Sequence, residues 1–192
     1  MKVQQRLTVG IDEVGRGCLA GPVIAAAVIL NHNKPIEGLA DSKKLTDKKR
    51  KFLASQIKQH AIAWSIGRAE VLEIDQVNIL QASLLAMRRA YYGLATPAEF
   101  AKIDGIYYPD INIHGQCIKG GDALVEEISA ASIIAKVYRD EHMQVLDVLY
   151  PGYDFFKHKG YPTPFHKALL KEKGISAIHR RSFSPVKKFI HD

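Results

Sequence analysis

Apolar and polar residues follow each other along this chain with two different periods. Residues 7–11 and 23–30 are apolar enough for buried strands, and residues 62–66 alternate well enough for a third strand. A further short strand is predicted at residues 102–105, where an apolar stretch ends on an acid beside a glycine. The strands come first as a meander and then alternate with helices, which predicts a mixed α/β sheet flanked by helices.

Apolar residues at helical spacing predict the helices, and the helix ends carry recognisable signals. Thr46 supplies a hydroxyl N-cap, Thr163 followed by Pro164 supplies another, and Gly174 is suited to end the helix that follows. The predicted helices cover residues 47–60, 76–94, 125–149 and 163–174, with a last short one from Ser184. The inward face of the first helix is predicted to contain Phe52, Leu53, Gln56 and Ile57.

Length and composition indicate one domain without a membrane anchor. The chain has 192 residues, of which 47% are hydrophobic, so we predict a single domain over residues 1–192 with a core of its own. No apolar run reaches the ~18 residues of a membrane span, and residues 1–6 lack the apolar region of a secretory signal. Cys18 and Cys117 are too few for a disulfide framework or a zinc site, which favours a reducing, cytoplasmic setting.

The net charge of +7 is concentrated near the C-terminal end of the chain. Residues 1–156 hold 18 basic and 18 acidic side chains, whereas residues 157–192 hold nine basic side chains against two acidic ones. A second basic run lies at residues 43–51. Any single lysine is most simply a solvated surface residue, but a basic, helical C-terminal part from about residue 157 suits a polyanionic partner such as nucleic acid.

Three acidic positions stand where an apolar stretch meets a glycine-containing turn. They are Asp12-Glu13 before Gly15-Arg16-Gly17, Asp104 before Gly105, and Asp122 after Gly120-Gly121. One such acid is usually a turn residue, but three in one small domain suggest a shared site. Neighbouring strand residues point to opposite faces, so Asp12 and Glu13 can share a site only if the strand bends or ends there. Clustered carboxylates repel one another, and all-oxygen ligation selects Mg²⁺ or Mn²⁺ rather than zinc.

Eight short segments, spread over residues 7–186, form a combination that chance does not produce. They are 10–17 (GIDEVGRG), 40–45 (ADSKKL), 78–82 (NILQA), 103–105 (IDG), 121–122 (GD), 128–137 (ISAASIIAKV), 158–161 (HKGY) and 179–183 (HRRSF). Their order and spacing resemble those of the bacterial ribonuclease HII family, the type 2 ribonucleases H. The resemblance implies a ribonuclease H-like fold. It also implies an endonuclease that hydrolyses the RNA strand of RNA–DNA hybrids and cuts at single ribonucleotides embedded in duplex DNA.

The same resemblance implies which residues form the site. The acids that match the family are Asp12, Glu13, Asp104 and Asp122, and their implied role is to hold two Mn²⁺ or Mg²⁺ ions around the scissile phosphate. Gly15, Arg16 and Gly17 are implied to contact the 2′-hydroxyl and phosphates of the ribonucleotide, and Tyr161 to pack against its sugar. We expect Lys43 or Lys44, and Arg180, to contact duplex phosphates without reading sequence.

Some residues depart from the family pattern or have simpler explanations. Cys18 stands where the family usually has proline, which predicts a looser turn, and Pro162 follows Tyr161 where glycine is common. His158, His166 and His179 have no metal-site spacing, so we interpret them as ordinary surface or hydrogen-bonded histidines. Glu126 and Glu127 are explained by the dipole at a helix start.

Two other functions fit parts of the pattern. A duplex-binding module without catalysis would keep its acids for structural reasons, but acids beside an anionic ligand repel it unless a cation bridges them. A junction- or transposase-type DNA nuclease on the same fold is the third hypothesis. The ribonuclease HIII type has an extra N-terminal domain, for which the residues before Asp12 leave no room, and residues 185–192 lack a sliding-clamp motif. We therefore expect a monomer that binds RNA–DNA hybrids and ribonucleotide-containing duplex DNA and needs no protein partner.

Overall fold

Five strands form one mixed sheet in the computed structural model of this chain, which describes residues 6–40 and 42–190. The strands are β1 (Thr8–Val14), β2 (Val23–Ile29), β3 (Ala63–Ala69), β4 (Phe100–Asp104) and β5 (Gly115–Ile118). They lie in the order β3-β2-β1-β4-β5. β2 is antiparallel to β1 and β3, whereas β4 is parallel to β1 and β5, which confirms the predicted mixed sheet. Asp41, part of the second matching segment, lies outside the described residues.

Helices connect the strands and cover the sheet. They are α1 (Asp47–His60), α2 (Val71–Tyr92), α3 (Glu126–Leu149), α4 (Phe155–His158), α5 (Pro164–Lys173) and α6 (Ser184–Lys187), with a 3₁₀ turn at Gly121–Ala123. The hydroxyls of Thr46 and Thr163 accept hydrogen bonds from the backbone N–H groups of the third residues of α1 and α5, as predicted for N-caps. Within the described ranges, no helix combines the length and the apolar character needed to cross a membrane.

The sheet is buried on both faces by helices. Odd-numbered residues of β2 pack in one cluster with α2, and even-numbered residues pack in another with α1 and α3. Every residue of β2 is at most 1% exposed, and three of them, Ala25, Ala26 and Ala27, are small. Small side chains let a helix approach each face of the strand closely, so the fold is a three-layer helix–sheet–helix arrangement with β1 and β2 at its centre.

The structure corrects several details of the sequence prediction. The strand predicted at residues 7–11 continues to Val14, and the strand predicted at residues 62–66 covers Ala63–Ala69. Phe52 was expected to face inward, but it is 55% exposed because Leu53, Ala54 and Ile57 already form the buried face of α1.

The helix predicted from residue 76 begins earlier and is interrupted. Asn78 has φ 71° and ψ 166°, which is not helical, and its side-chain oxygen accepts hydrogen bonds from the backbone of Leu80 and Gln81. Asn78 therefore caps the second half of α2, which is the part that the sequence pattern detected. The first half starts with a capping box between Glu70 and Glu73, a signal that the sequence prediction overlooked.

A glycine lets the start of α3 lie directly on β1. A Cβ atom at Gly10 would lie 2.1 Å from the backbone carbonyl carbon of Glu127, so only glycine allows this approach. Glu127 is itself buried and pairs with Lys102 at 3.2 Å, and this ion pair adds to the helix-dipole role predicted for it. The contact fixes the first turn of α3, and with it the preceding Asp122, against the centre of the sheet.

Candidate active site

The carboxyl ends of β1 and β4 bring Asp12 and Asp104 side by side. Ile11 pairs with Ile103 in the parallel register, so the next residues along the two strands are Asp12 and Asp104. Asp12 also pairs with Ala26, which packs towards α3, so its side chain lies on the α3 face of the sheet. Two acids that are 92 positions apart in sequence are thus neighbours at one edge of the strands.

Asp12 has the most strongly shifted pKa among the acids of the site. It is 5% exposed. Burial, together with the charges of Glu13 and Asp104, raises the pKa of the Asp12 carboxyl well above its ordinary value of 3.8. The Ser132 hydroxyl and the Glu13 backbone N–H, which donates to Asp12 Oδ1 at 2.7 Å, oppose this by stabilising the charged form. Asp12 is therefore a buried acid whose charged form is disfavoured by its surroundings.

Glu13 belongs to the same electrostatic cluster and is the last but one residue of β1. Burial raises the pKa of the Glu13 carboxyl, Arg16 lowers it, and Asp104 raises it again. The Arg16 guanidinium lies 3.2 Å from Glu13 Oε1. β1 continues to Val14, so the predicted strand end before the acids is wrong. The two neighbouring side chains both interact with Asp104 nonetheless.

Asp122 reaches this cluster through the 3₁₀ turn before α3. The backbone N–H of Gly121 donates to Asp104 Oδ1 at 2.7 Å, which ties the turn to the end of β4. Asp122 is buried, and Ser129 donates to its backbone oxygen at 2.6 Å. The Lys43 ammonium lies 3.0 Å from Asp122 Oδ2, although the lysine side chain is largely exposed. Lys43 therefore supplies positive charge at the rim of the acidic cluster.

The chemistry of these side chains fits a hard divalent cation. The donors are oxygens, and a cation would relieve the repulsion that Asp12 experiences from its neighbours. Across residues 6–40 and 42–190, however, no three acidic, histidine or cysteine side chains are arranged so that they could hold a metal ion together. Asp12, Glu13 and Asp104 thus interact electrostatically, and the turn that carries Asp122 is hydrogen-bonded to Asp104.

The turn after β1 combines one constrained glycine with one open glycine. Gly15 has φ 95°, and a Cβ atom there would lie 2.3 Å from Arg139 Nε, so position 15 requires glycine. A Cβ atom at Gly17 would meet nothing within 4 Å. Arg16 and Gly17 are exposed, which leaves the outer half of this turn accessible to a ligand.

Two fully buried arginines support the turn from below. Arg139 donates hydrogen bonds to the backbone oxygens of Lys159, Ala20 and Pro22 at 2.8, 3.2 and 3.3 Å. Arg180 donates to the backbone oxygens of Gly21 and Arg16 at 3.0 and 2.9 Å. Burial lowers the pKa of Arg180 to about 10, so it stays charged at neutral pH. The expectation that Arg180 contacts duplex phosphates is wrong for this structure, because it is 0% exposed and is held by loop carbonyls.

Tyr161 lies next to this turn, in a short segment after α4. Its ring is half-buried, with the Lys136 ammonium 5.5 Å and the Arg139 guanidinium carbon 5.8 Å from the ring centroid. Burial raises the pKa of the Tyr161 hydroxyl, and a hydrogen bond with Cys18 contributes. Cys18 is fully buried, and its thiol lies 3.7 Å from the Lys159 backbone oxygen. Cys18 thus links the glycine turn to Tyr161.

Sequence reasoning missed a row of polar residues on α3. Ser129 holds the Asp122 backbone, Ser132 interacts with Asp12, and Lys136 lies near Tyr161 and pairs with Asp140 at 2.8 Å. Ser129, Ser132, Lys136 and Arg139 recur at spacings of three or four along α3. That spacing, which places them on one helix face, was the signal that could have revealed them.

Lys44, the alternative to Lys43 as a phosphate contact, is exposed.

Comparisons with known proteins agree with this arrangement. A family model described as "Ribonuclease HII" matches residues 9–186. A ribonuclease HII from Aliivibrio fischeri strain MJ11 is 56% identical over 185 residues, which cover 96% of this chain and 89% of the relative. A ribonuclease HII from Aliivibrio salmonicida strain LFI1238 is 55% identical over the same lengths.

A solved structure shares the fold. The crystal structure of ribonuclease H2 from Pyrococcus horikoshii OT3 matches with a TM-score of 0.80 and 26% identity, covering 95% of this chain and 96% of that one. The chain therefore belongs to the ribonuclease HII family and is a ribonuclease H, an endonuclease.

Proposed function

We propose that this enzyme hydrolyses the RNA strand of RNA–DNA hybrids and also cuts at single ribonucleotides embedded in duplex DNA, using two Mn²⁺ or Mg²⁺ ions. The observation that carries the proposal is Asp12, a buried acid whose pKa is raised by burial, Glu13 and Asp104 beside an open glycine turn. A protein that only bound duplexes would gain nothing from placing Asp12 beside the like charges of Glu13 and Asp104. In a cation-dependent nuclease, bound ions offset this repulsion between the carboxylates.

Asp12, Glu13, Asp104 and Asp122 are the proposed ligands. When bound, the two ions supply an activated water on one side of the scissile phosphodiester and charge stabilisation for the leaving oxygen on the other. The Ser132 hydroxyl and the Glu13 N–H orient Asp12, and the Gly121 N–H orients Asp104. Lys43, which pairs with Asp122, would hold a substrate phosphate beside the acids.

Recognition of the ribonucleotide is assigned to the turn and the tyrosine. The 2′-hydroxyl is the local group that distinguishes RNA from DNA, and it can both donate and accept hydrogen bonds. Gly17 leaves open space over the backbone, and Arg16 is exposed at the rim of the acids. Tyr161 offers an aromatic face for the sugar and a hydroxyl held near Cys18. Lys43 and Lys44 are exposed and suited to backbone phosphates, which they would bind without sequence preference.

A cleavage experiment with matched duplexes tests the proposal. Three labelled substrates are used: a DNA duplex with one ribonucleotide, an RNA–DNA hybrid, and an all-DNA duplex of the same sequence. We expect cleavage of the first two with Mn²⁺ or Mg²⁺ and none in EDTA. Cleavage that EDTA leaves unchanged would contradict the metal mechanism. All-DNA cleavage at an equal rate would favour the junction-nuclease alternative, and binding without cleavage would favour the binding module.

Replacing Tyr161 by alanine should reduce discrimination more than affinity. The variant loses the aromatic face and the hydroxyl at once, whereas duplex binding through lysines is retained. We expect the preference for the single-ribonucleotide duplex over all-DNA duplex to fall by about tenfold or more, the effect of a lost positioning contact. Tyr161→Phe, which keeps the face, separates the two contributions. A variant that loses salt-dependent duplex binding but keeps its preference would make Tyr161 a purely structural residue.

The remaining expectations stay predictions. If the protein is a monomer that needs no protein partner, its hydrodynamic mass should be the same at all concentrations. We also propose a cytoplasmic setting and a single domain over residues 1–192.

A further inference from the structure

Three histidines form a buried cluster directly behind Tyr161. His158, His166 and His179 are 7%, 0% and 1% exposed, so they are hydrogen-bonded as expected but do not lie on the surface. The His158 and His166 rings are stacked with centroids 3.9 Å apart. The Nε2 atoms of His166 and His179 lie 3.0 Å from each other. Within the described residues, none of the three rings makes a hydrogen bond or an aromatic contact with the proposed metal ligands.

The hydrogen-bond partners of two of these rings fix the direction of every bond between them. The Tyr161 backbone oxygen can only accept, so His166 donates to it from Nδ1–H at 2.9 Å. A neutral His166 then accepts at Nε2, which makes His179 the donor through Nε2–H. His179 in turn accepts at Nδ1 from the backbone N–H and the hydroxyl of Ser176, at 2.9 and 2.8 Å. The bonds therefore run one way, from Ser176 to Tyr161.

The third ring has an equally definite role. The Tyr153 backbone oxygen lies 2.7 Å from His158 Nε2 and can only accept, so His158 carries its proton on Nε2. Its Nδ1 accepts from the Gly160 N–H at 3.1 Å. The residue before Tyr161 and the carbonyl of Tyr161 itself are thus each held by an imidazole.

The cluster is consistent only with neutral rings. Protonation of His166 would place two N–H groups opposite each other across the 3.0 Å contact with His179. Burial lowers the pKa of His166 to about 4 and that of His179 to about 3. Neutral rings of fixed tautomer make a rigid support, because each can bond in one arrangement alone.

We propose that His166 and His179 are positioning residues that hold Tyr161 in place for ribonucleotide recognition. The hydrogen-bond chain from Ser176 through both rings sets the Tyr161 carbonyl, and the backbone then presents the ring next to Cys18 and the glycine turn. This inference rests on the proposed role of Tyr161. It gives the basic C-terminal part a function that differs from phosphate contact.

Two substitutions at position 166 distinguish the effect of the hydrogen-bond chain on Tyr161 from the effect of side-chain packing. Asparagine places its amide near the Nδ1 position and can still donate to the Tyr161 oxygen. Glutamine reaches the Nε2 position and can contact His179, but it removes the imidazole donor from that oxygen, which then accepts only from the Thr163 backbone N–H. We expect His166→Asn to keep the preference for the single-ribonucleotide duplex within about threefold, and His166→Gln to lose about tenfold, with the loss in kcat rather than KM. His114→Gln, at an exposed site away from the cluster, is the control and should match the wild type.

Position 179 provides a second pair with the opposite order. His179 must donate from Nε2, so His179→Gln should preserve preference better than His179→Asn. This pair decides the matter if a variant at position 166 does not fold. Equal preference for all four variants and the wild type would overturn the proposal, as would a loss that follows thermal stability instead of the donor position.

Nitrogen-15 NMR of the imidazoles supplies a readout that does not depend on activity. We expect the Nδ1–H tautomer for His166 and the Nε2–H tautomer for His179 and His158 at neutral pH. Any other tautomer at His166 or His179 would overturn the chain. A wild-type enzyme without ribonucleotide preference would refute the proposed function. The tautomers, together with hydrogen exchange in the position 166 pair at the Thr163 N–H, which donates to the same Tyr161 carbonyl as His166, would then decide the hydrogen-bond chain separately.

Discussion

Asp12→Asn should abolish cleavage and, at the same time, stabilise the metal-free protein. The activity is lost because asparagine removes the charge of the central ligand, and metal assistance is worth several kcal/mol of transition-state stabilisation. Each 1.4 kcal/mol corresponds to a factor of ten, so we expect kcat to fall by about 10³-fold or more. The fold persists because the side-chain oxygen of asparagine can still accept from the Glu13 N–H and from Ser132.

The gain in stability follows from the same repulsion. Asp12 is buried between Glu13 and Asp104, and these neighbours disfavour its charged form. A neutral amide removes that cost, which we take as about 1 kcal/mol or more, equivalent to about 2–4 °C in Tm for a chain of this size. Divalent ions should raise the Tm of the wild type, because they bind the folded state, and should raise that of Asp12→Asn less.

Thermal unfolding with EDTA and with Mn²⁺ measures both effects on the same samples. Asp110→Asn is the matched control, since Asp110 is exposed and pairs with Arg88 outside the acidic cluster. We expect that control to change neither activity nor the Mn²⁺-dependent shift. A destabilised Asp12→Asn protein in EDTA would show that the carboxylate is a structural acid. Cleavage near the wild-type rate would remove Asp12 from the site.

The acids of the site could be predicted from the sequence, whereas the buried residues that hold the site in place could not. Asp12 and Asp104 could be identified because each ends an apolar run next to a glycine, and the parallel register brings those ends together. Arg180 was misjudged because a basic residue in a basic tail gives no sign of burial. Its partners are backbone oxygens of Gly21 and Arg16, more than 150 positions earlier, and backbone oxygens have no residue-specific pattern.

The histidine cluster illustrates the same limit from another direction. His166 and His179 are 13 positions apart, on either side of the loop after α5, and their spacing matches no metal motif. Their function depends on which nitrogen carries the proton, which only the surrounding acceptors determine. Sequence could also detect the glycines of residues 15–17, but not that one of them is packed against a buried arginine whereas the other is open.

Gly15→Ala should destabilise the protein severely, whereas Gly17→Ala should not. A side chain at position 15 must adopt φ 95° and place its Cβ 2.3 Å from Arg139 Nε. Arg139 cannot withdraw easily, because its guanidinium is bonded to three backbone oxygens. Backbone strain of about 1–3 kcal/mol and overpacking of about 1–3 kcal/mol add to about 2–6 kcal/mol, or a fall in Tm of roughly 10 °C.

The two alanine variants then distinguish position 15, which packs against Arg139, from position 17, which is open to a ligand. Displacing Arg139 also releases the Lys159 carbonyl, so Gly15→Ala should disturb the Tyr161 segment and reduce ribonucleotide preference along with stability. Gly17→Ala adds a methyl group in open space, so its Tm should equal that of the wild type. A loss of cleavage there, with unchanged unfolding, would mean that substrate approaches the bare backbone at residue 17. Equal Tm values for both variants would contradict the close contact with Arg139, and with it the view that buried arginines hold this turn in a shape that can receive a ribonucleotide.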